Sequence, residues 1–321
     1  MHTKTRSPKE WFMLYLKGAA MGAADVIPGI SGGTIAFITG IYPELVNTIA
    51  SLSPKLVWQN KKIHQIWHAA NGPFLATIIL GLVTSFMMAA KGINWIINHQ
   101  PLLVWSLFFG LIATSSFLLG KQVKAWGKGE ICSLLIGLNL GYMATIASPS
   151  QIPFHGTSDY WMLIPAGAVS LCAMILPGIS GSFLLLLMGM YQPLLTALIE
   201  KNHAFLVTFT AGGVLGLLAF SRYLRWLLKN HYEITLTFLT GIMLGALNKV
   251  WPWKITEALF VDSKGNERPL IQNSVLPVKY QEIIGNEPQI GLCILMMIIG
   301  TLLAAVPVII RNSIYQTTSG R

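Results

Sequence analysis

Apolar runs of 15 to 24 residues recur along all 321 positions, separated by short polar or Gly/Pro-containing stretches. Runs of that length fit helices of membrane dimension rather than strands. Glu10–Ala24 predicts a helix of about 22 Å at 1.5 Å rise per residue, short of a full hydrocarbon crossing. Pro28, Gly29, Gly32 and Gly33 end it, and a second short helix is expected over 34–51. A basic connection with Lys55, Lys61, Lys62, His64 and His68 follows, then spans at 74–97, 102–119 and 131–147. A polar linker over 149–160 carries no Lys or Arg. The second half begins with another short helix, a break at Pro177–Ser182 and a second short helix ending at 199. Spans follow at 205–222, 234–248 and 289–310, with 251–288 as the long polar connection.

The two breaks are copies of one another. Pro28 to Leu45 aligns without gaps to Pro177 to Leu194, 149 residues later, with identity at eight of eighteen places. Roughly one or two matches would arise by chance in so apolar a composition. Both copies contain Pro-Gly-Ile-Ser-Gly, and both continue to Gly-x-Tyr, at Gly40–Tyr42 and Gly189–Tyr191. An offset of 131 then aligns Phe74, Leu75, Thr77, Gly81, Val83, Trp95 and Gly110 with Phe205, Leu206, Thr208, Gly212, Val214, Trp226 and Gly241. The chain therefore reads as a duplication over residues 1–148 and 161–321.

Composition narrows the class. Over half the residues are apolar (53%) and only 11% are charged, against about a quarter charged in soluble domains. A soluble fold is thereby excluded, and the +10 net charge bears on membrane orientation rather than on nucleic acid. If each broken segment enters and leaves on one face, as a re-entrant hairpin (10–51 and 161–199), the basic loops fall together. Those at 51–73, 120–130 and 221–233 then lie with both termini in the cytoplasm, as the positive-inside rule requires. The linker 149–160 and the 251–288 loop lie outside. Each half is then one hairpin plus three crossings, an odd number, so the second half is inverted. The expected fold is an all-α integral membrane protein of two inverted repeats, each a re-entrant helical hairpin plus three transmembrane helices. The N-terminal apolar core, about six residues, is shorter than a secretory signal requires and is expected to be retained. Cys132, Cys172 and Cys293 lie in apolar windows without metal or redox spacing and read as packing residues. The seven histidines show no metal spacing, and no pattern calls for a cofactor.

Non-helical backbone at membrane depth is tolerated only inside protein or along a wet cavity. Inverted repeats with broken helices are an architecture of alternating-access transporters, with the site where the breaks meet. Here each break supplies Gly-rich backbone, a hydroxyl and the N-terminus of the next half-helix, groups that favour an anion such as phosphate or carboxylate. The candidate anion site comprises Pro28, Gly29, Ser31, Gly32, Gly33 and Thr34 with Pro177, Gly178, Ser180, Gly181 and Ser182; the resemblance given below implies a phosphate there. Asp25 beside the first break aligns with the apolar Met174, and an intramembrane carboxylate is a functional candidate by default; it reads either as a proton- or cation-coupling group or as a cap or ion-pair partner of the loop. Glu44 is expected at a solvated end. Lys17 and Arg222, near helix ends, are either snorkelling anchors or phosphate-contacting cations.

The pattern Lys17-Gly-x-x-Met21-Gly-x-x-Asp25-x-x-Pro-Gly-x-Ser-Gly-Gly-Thr34, with Gly40-x-Tyr42, Pro177-Gly-Ile-Ser-Gly181 and Gly189-x-Tyr191, resembles a polytopic bacterial family linked to undecaprenyl-phosphate translocation. The resemblance implies a flippase of the bacterial cytoplasmic membrane. It would return undecaprenyl phosphate, or a related polyprenyl phosphate, from the outer to the inner leaflet for peptidoglycan and other envelope polymers. Proton or sodium coupling would be assigned to Asp25. Two other readings compete. Undecaprenyl-pyrophosphate phosphatases carry a similar Pro-Gly-x-Ser-Arg-Ser motif, but here Gly32 and Gly181 follow the serines and the Arg is absent from both copies. No Glu-x-x-x-Glu pair is present to serve as acid and base; the chain is not expected to be an enzyme. A small-anion transporter or channel would share the architecture.

Overall fold

The apolar runs fold as helices in the computed structural model, which describes residues 6–25, 31–52, 63–147, 160–261 and 267–319. The first half contains α1 (Pro8–Asp25), α2 (Gly32–Ile38), α3 (Tyr42–Ser51), α4 (Ile63–Ala69), α5 (Gly72–His99), α6 (Pro101–Gly120) and α7 (Lys128–Ile146). The second contains α8 (Tyr160–Ile175), α9 (Gly181–Leu187), α10 (Tyr191–Ile199), α11 (His203–Asn230), α12 (Tyr232–Gly245) and, after an Ala246–Val250 3₁₀ turn, α13 (Pro277–Ile284) and α14 (Ile290–Ser319). Among the described residues, α6, α7 and α11 are long and apolar enough to cross a bilayer. Shorter apolar stretches occur at Gly72–Ser85, Met162–Ile175 and Ile290–Ala305.

Two expectations are corrected. The helices expected over 34–51 and 183–199 are each two helices, because the Gly-x-Tyr motif is a second break. Gly40 and Gly189 adopt φ of 74° and 66°, the left-handed conformation that closes a helix with little cost only in glycine. The same bond closes both ends: Ile41 N–H donates to Ala36 O at 3.0 Å, and Met190 N–H to Leu185 O at 2.9 Å. Secondly, the 251–288 connection is not all loop. Antiparallel strands β1 (Lys254–Val261) and β2 (Glu267–Ser274) pair from Lys254↔Ser274 to Val261↔Glu267, with an irregularity between Thr256 and Leu259. This two-stranded hairpin is a local addition to a helical fold, and Ile255, Thr256, Phe260 and Val261 favour its extended backbone. Cys132, expected to be buried, is exposed on α7, whereas Cys293 is buried.

Contacts divide the chain into two compact units that cut across the sequence halves. One comprises Met1–Asn94 with Ser148–Tyr232, the other Trp95–Ala147 with Glu233–Arg321. The first unit holds both sets of broken helices, with α8 against α11, and α3 also against α11. An apolar cluster within it gathers Leu163, Leu185, Met188, Met190, Phe205 and Phe209. The second pairs α6 with α14, and packs α7 against the 3₁₀ turn that ends α12.

Close helix contacts recur at the repeat offsets. In the first unit, a Cβ on Gly18 or Gly81 would approach the backbone of Ile78 or Tyr15 to less than 3.0 Å. The aligned glycines Gly167 and Gly212 meet Phe209 and Ile164, the aligned partners, in the same way. In the second unit Gly300 lies flush on Leu107 and Gly137 on Phe238, while Gly110 lies on Met297 and Gly241 on Leu134. Leu107 and Gly110 align with Phe238 and Gly241, and one further offset carries Leu134 and Gly137 to Met297 and Gly300. Thus α6 pairs with α14 as α12 pairs with α7: each half supplies one helix to both pairs. The duplication is present in contacts as well as in letters.

These contacts leave no room for a side chain. Gly137→Leu should cost more than about 2 kcal/mol and lower thermal stability of the purified protein in detergent. Gly291→Leu is the control, since nothing lies within 4 Å of a Cβ there, and it should melt as the wild type does.

Candidate functional site

At the first break, α1 ends at Asp25 and α2 begins at Gly32. Helix N-termini expose N–H groups that need acceptors. Asp25 Oδ1 accepts from Gly32 N–H at 2.6 Å, and Ser31 Oγ, at the N-cap, accepts from Gly33 N–H at 3.1 Å. Thr34 N–H goes to Ser31 O at 2.9 Å. The positive end of α2 is therefore occupied by a carboxylate of the same chain. Both oxygens of Asp25 face Gly32, where a Cβ would stand 2.7 Å from Oδ2.

The second break is brought against the first. Ser31 Oγ donates to Met174 O at 3.1 Å, and Thr34 Oγ1 accepts from Gly178 N–H at 2.8 Å. A Cβ on Gly33 would lie 2.7 Å from both Met174 O and Ile175 O, so only glycine lets the start of α2 abut the end of α8. Gly178 has φ 87°. Ser31, Gly32, Gly33 and Thr34 are all buried, as are Pro177, Ser180 and Gly181. Pro28 and Gly29 lie outside the described residues, as does the side chain of Ser182.

The two breaks differ where the aligned residues differ. A Cβ on Gly32 would meet the Asp25 carboxylate, whereas at Gly181 it would meet Cγ of Met174, the residue aligned with Asp25. Ser170 Oγ donates to Gly181 O at 3.3 Å. Thr34 aligns with Phe183, so the Thr34–Gly178 bond has no hydroxyl to reproduce it from the other side.

The candidate cations are placed elsewhere. Lys17 Nζ donates to Thr39 O at 2.8 Å, the C-terminal end of α2, and Arg222 Nη2 donates to Leu52 O at 2.6 Å, the C-cap of α3. Each sits at a negative helix end. Glu44, expected at a solvated end, is partly exposed in the first turn of α3 and pairs with Arg6 at 2.5 Å. The Arg6 guanidinium lies 5.2 Å from the Trp11 ring and 5.3 Å from that of Phe74, and Asn71 Nδ2 donates to both Glu44 and Thr48. This network ties the N-terminal segment to α3 and α5. Sequence reasoning missed Met174 O and Ile175 O, which act through backbone, and the hydroxyl of Tyr42. That hydroxyl is buried without a hydrogen-bond partner among the described residues, and its ring meets Phe37 edge-on at 5.0 Å. His64 and His68 face each other on α4, Nε2 to Nε2 at 3.0 Å; no group of three metal-ligating side chains is found among the described residues.

The model of the undecaprenyl phosphate translocase-like family matches residues 21–268, which include both breaks. A polyprenyl-phosphate transporter of Vibrio cholerae is 43% identical over 286 residues, 88% of this chain and 92% of that protein. A polyprenyl-phosphate transporter of Staphylococcus aureus is 27% identical over 251 residues, 74% and 85% of the two chains. No solved structure matches.

The Thr34–Gly178 bond offers a direct check on the joined breaks. Thr34→Val keeps shape but strands the Gly178 N–H, which should cost about 1–3 kcal/mol. Thr34→Ser should restore most of it. Equal melting temperatures for the Val and Ser variants in detergent would contradict the bond.

Proposed function

Since the chain belongs to the undecaprenyl phosphate translocase-like family, we propose that it carries undecaprenyl phosphate or a close polyprenyl phosphate across the bacterial cytoplasmic membrane. The direction is from the outer to the inner leaflet, returning carrier lipid for peptidoglycan and other envelope polymers. The observation that carries this reading is the junction of two broken helices at Asp25, Ser31, Gly32, Thr34 and Gly178. Its relatives are named as transporters, not enzymes.

In the proposed mechanism the broken segments are re-entrant hairpins and the halves are inverted, with both termini cytoplasmic. The phosphate head enters at the breaks while the polyprenyl chain stays in lipid. Gly32 N–H and the Ser31 hydroxyl, now satisfied by Asp25 and Met174 O, exchange these partners for phosphate oxygens. The breaks part as the Thr34–Gly178 bond opens, and rocking of the repeats exposes the head to the other leaflet.

Asp25 gives this exchange its coupling. A carboxylate and a phosphate about 4 Å apart repel by ~4 kcal/mol per unit charge pair at an effective dielectric near 20. Both cannot occupy the start of α2 as anions. Phosphate binding therefore requires that Asp25 leave with a proton or a sodium ion, and release of the phosphate returns the carboxylate to Gly32. The ion is thereby counted against the lipid.

A leaflet-resolved assay of undecaprenyl phosphate in proteoliposomes, with pH and sodium gradients imposed separately, tests both parts. Asp25→Asn should move lipid at a rate that no longer responds to the gradient that drives the wild type. Ser31→Ala, which removes the hydroxyl without adding volume, should slow movement strongly in protein that still folds. Gradient-dependent flux in Asp25→Asn would remove the coupling role, and wild-type flux in Ser31→Ala would remove Ser31 from the site.

A further inference from the structure

The second unit contains an arrangement the breaks do not use. Lys254, at the start of β1, places its ammonium 4.1 Å from the centroid of the Trp105 ring on α6, and donates to the carbonyl of Lys249 in the 3₁₀ turn. The surroundings are rigid and aromatic. Trp251 meets Trp253 edge-on at 5.4 Å and Phe109 at 5.3 Å. Both indole N–H groups are fixed at 2.8 Å, Trp251 on Val275 O and Trp253 on Pro288 O. Burial, together with the charge of Lys249, holds the Lys254 ammonium well below the ordinary lysine range.

An ammonium has three donors, and one of those on Lys254 goes to the Lys249 carbonyl. The salt bridge found among the described residues joins Arg6 to Glu44 in the other unit, so no described carboxylate balances Lys254. A buried charge in that position is costly unless an anion joins it. A ring face beneath the cation supports it but supplies no negative charge. Tryptophan and lysine together at helix ends are the composition of a membrane–water interface. The anion abundant at such an interface is the phosphate of a lipid headgroup.

We propose that Lys254, with Lys249 beside it and the Trp105 face beneath it, is a docking site for a lipid phosphate, formed by residues of the second unit. The proposal rests on the carrier reading above, which gives the site its use: it gathers headgroups for transport and so governs how much lipid half-saturates the protein. Polyprenyl phosphates and ordinary anionic phospholipids share the required chemistry, a phosphate on an apolar tail.

The test titrates full-length protein in detergent, by native mass spectrometry, with undecaprenyl phosphate, phosphatidylglycerol and inorganic phosphate in turn. Lys254→Met keeps the apolar stem and removes the charge; it should weaken undecaprenyl phosphate binding roughly tenfold, while Lys254→Arg stays within about threefold. Equal loss for phosphatidylglycerol would make the site a general lipid-phosphate anchor; loss for undecaprenyl phosphate alone would make it substrate-selective. Inorganic phosphate is expected to bind more weakly than either lipid. In proteoliposomes Lys254→Met should raise the half-saturating lipid concentration and leave the maximal rate unchanged. Wild-type affinity for both lipids in a folded Lys254→Met protein would overturn the proposal. Trp105→Leu, which removes the ring face, carries the same test should Lys254→Met misfold. Absence of lipid movement by the wild-type protein, with Lys254-dependent binding intact, would instead sink the carrier reading and leave the docking site standing.

Discussion

A helix broken inside an apolar surrounding leaves N–H and carbonyl groups without partners, and each must be closed from within the protein. Everything at the junction of the two breaks answers that requirement. Gly32 N–H is closed by Asp25, Gly33 N–H by Ser31 and Gly178 N–H by Thr34, while Met174 O is closed by Ser31. The far ends of the short helices are closed by other means. Left-handed glycines turn the chain at Gly40 and Gly189, and Lys17 and Arg222 donate to terminal carbonyls. A break satisfied in this way is stable as it stands, yet each bond is a single exchangeable contact rather than part of a helix ladder.

Much of this was legible in the sequence because duplication supplies its own control. One Pro-Gly-Ile-Ser-Gly could be a kink; two copies mark a shared architecture, and the Gly18–Ile78 contact recurs as Gly167–Phe209 at the two repeat offsets. Asp25 stood out for the same reason, its aligned partner being Met174, and the two side chains do fill equivalent places beside Gly32 and Gly181. What was not legible falls into three kinds. Backbone acceptors such as Met174 O carry no letter. Partners far along the chain, Arg6 for Glu44 and Thr39 O for Lys17, leave no local pattern. The strands at 254–261 and 267–274 lie in a polar connection between apolar helices, where two short segments without strict alternation carry little strand signal.

The compact units recombine the repeats rather than reproduce them. Both sets of broken helices share one unit, while the other is built from helix pairs to which each half contributes one member. Glycines set those pairs at backbone contact, the closest approach two helices can make, which suits association where lipid offers no hydrophobic drive. Duplication thus fixes two kinds of surface at once, one rigid through flush glycines and one joined by a few hydrogen bonds.

The departure from symmetry is as informative as the symmetry. Thr34 is a hydroxyl facing a backbone N–H, while its aligned residue is Phe183, and Asp25 is a carboxyl group where its aligned residue is a thioether. Both polar members belong to the first half. A site built only from the duplicated elements would present two equivalent, neutral, positively poled helix starts. Adding one carboxylate makes one start self-occupied and leaves its counterpart beside an apolar side chain. In the proposed mechanism, occupancy of the first start depends on what neutralises Asp25, and one acid in a duplicated frame would then make an anion site sensitive to an ion gradient.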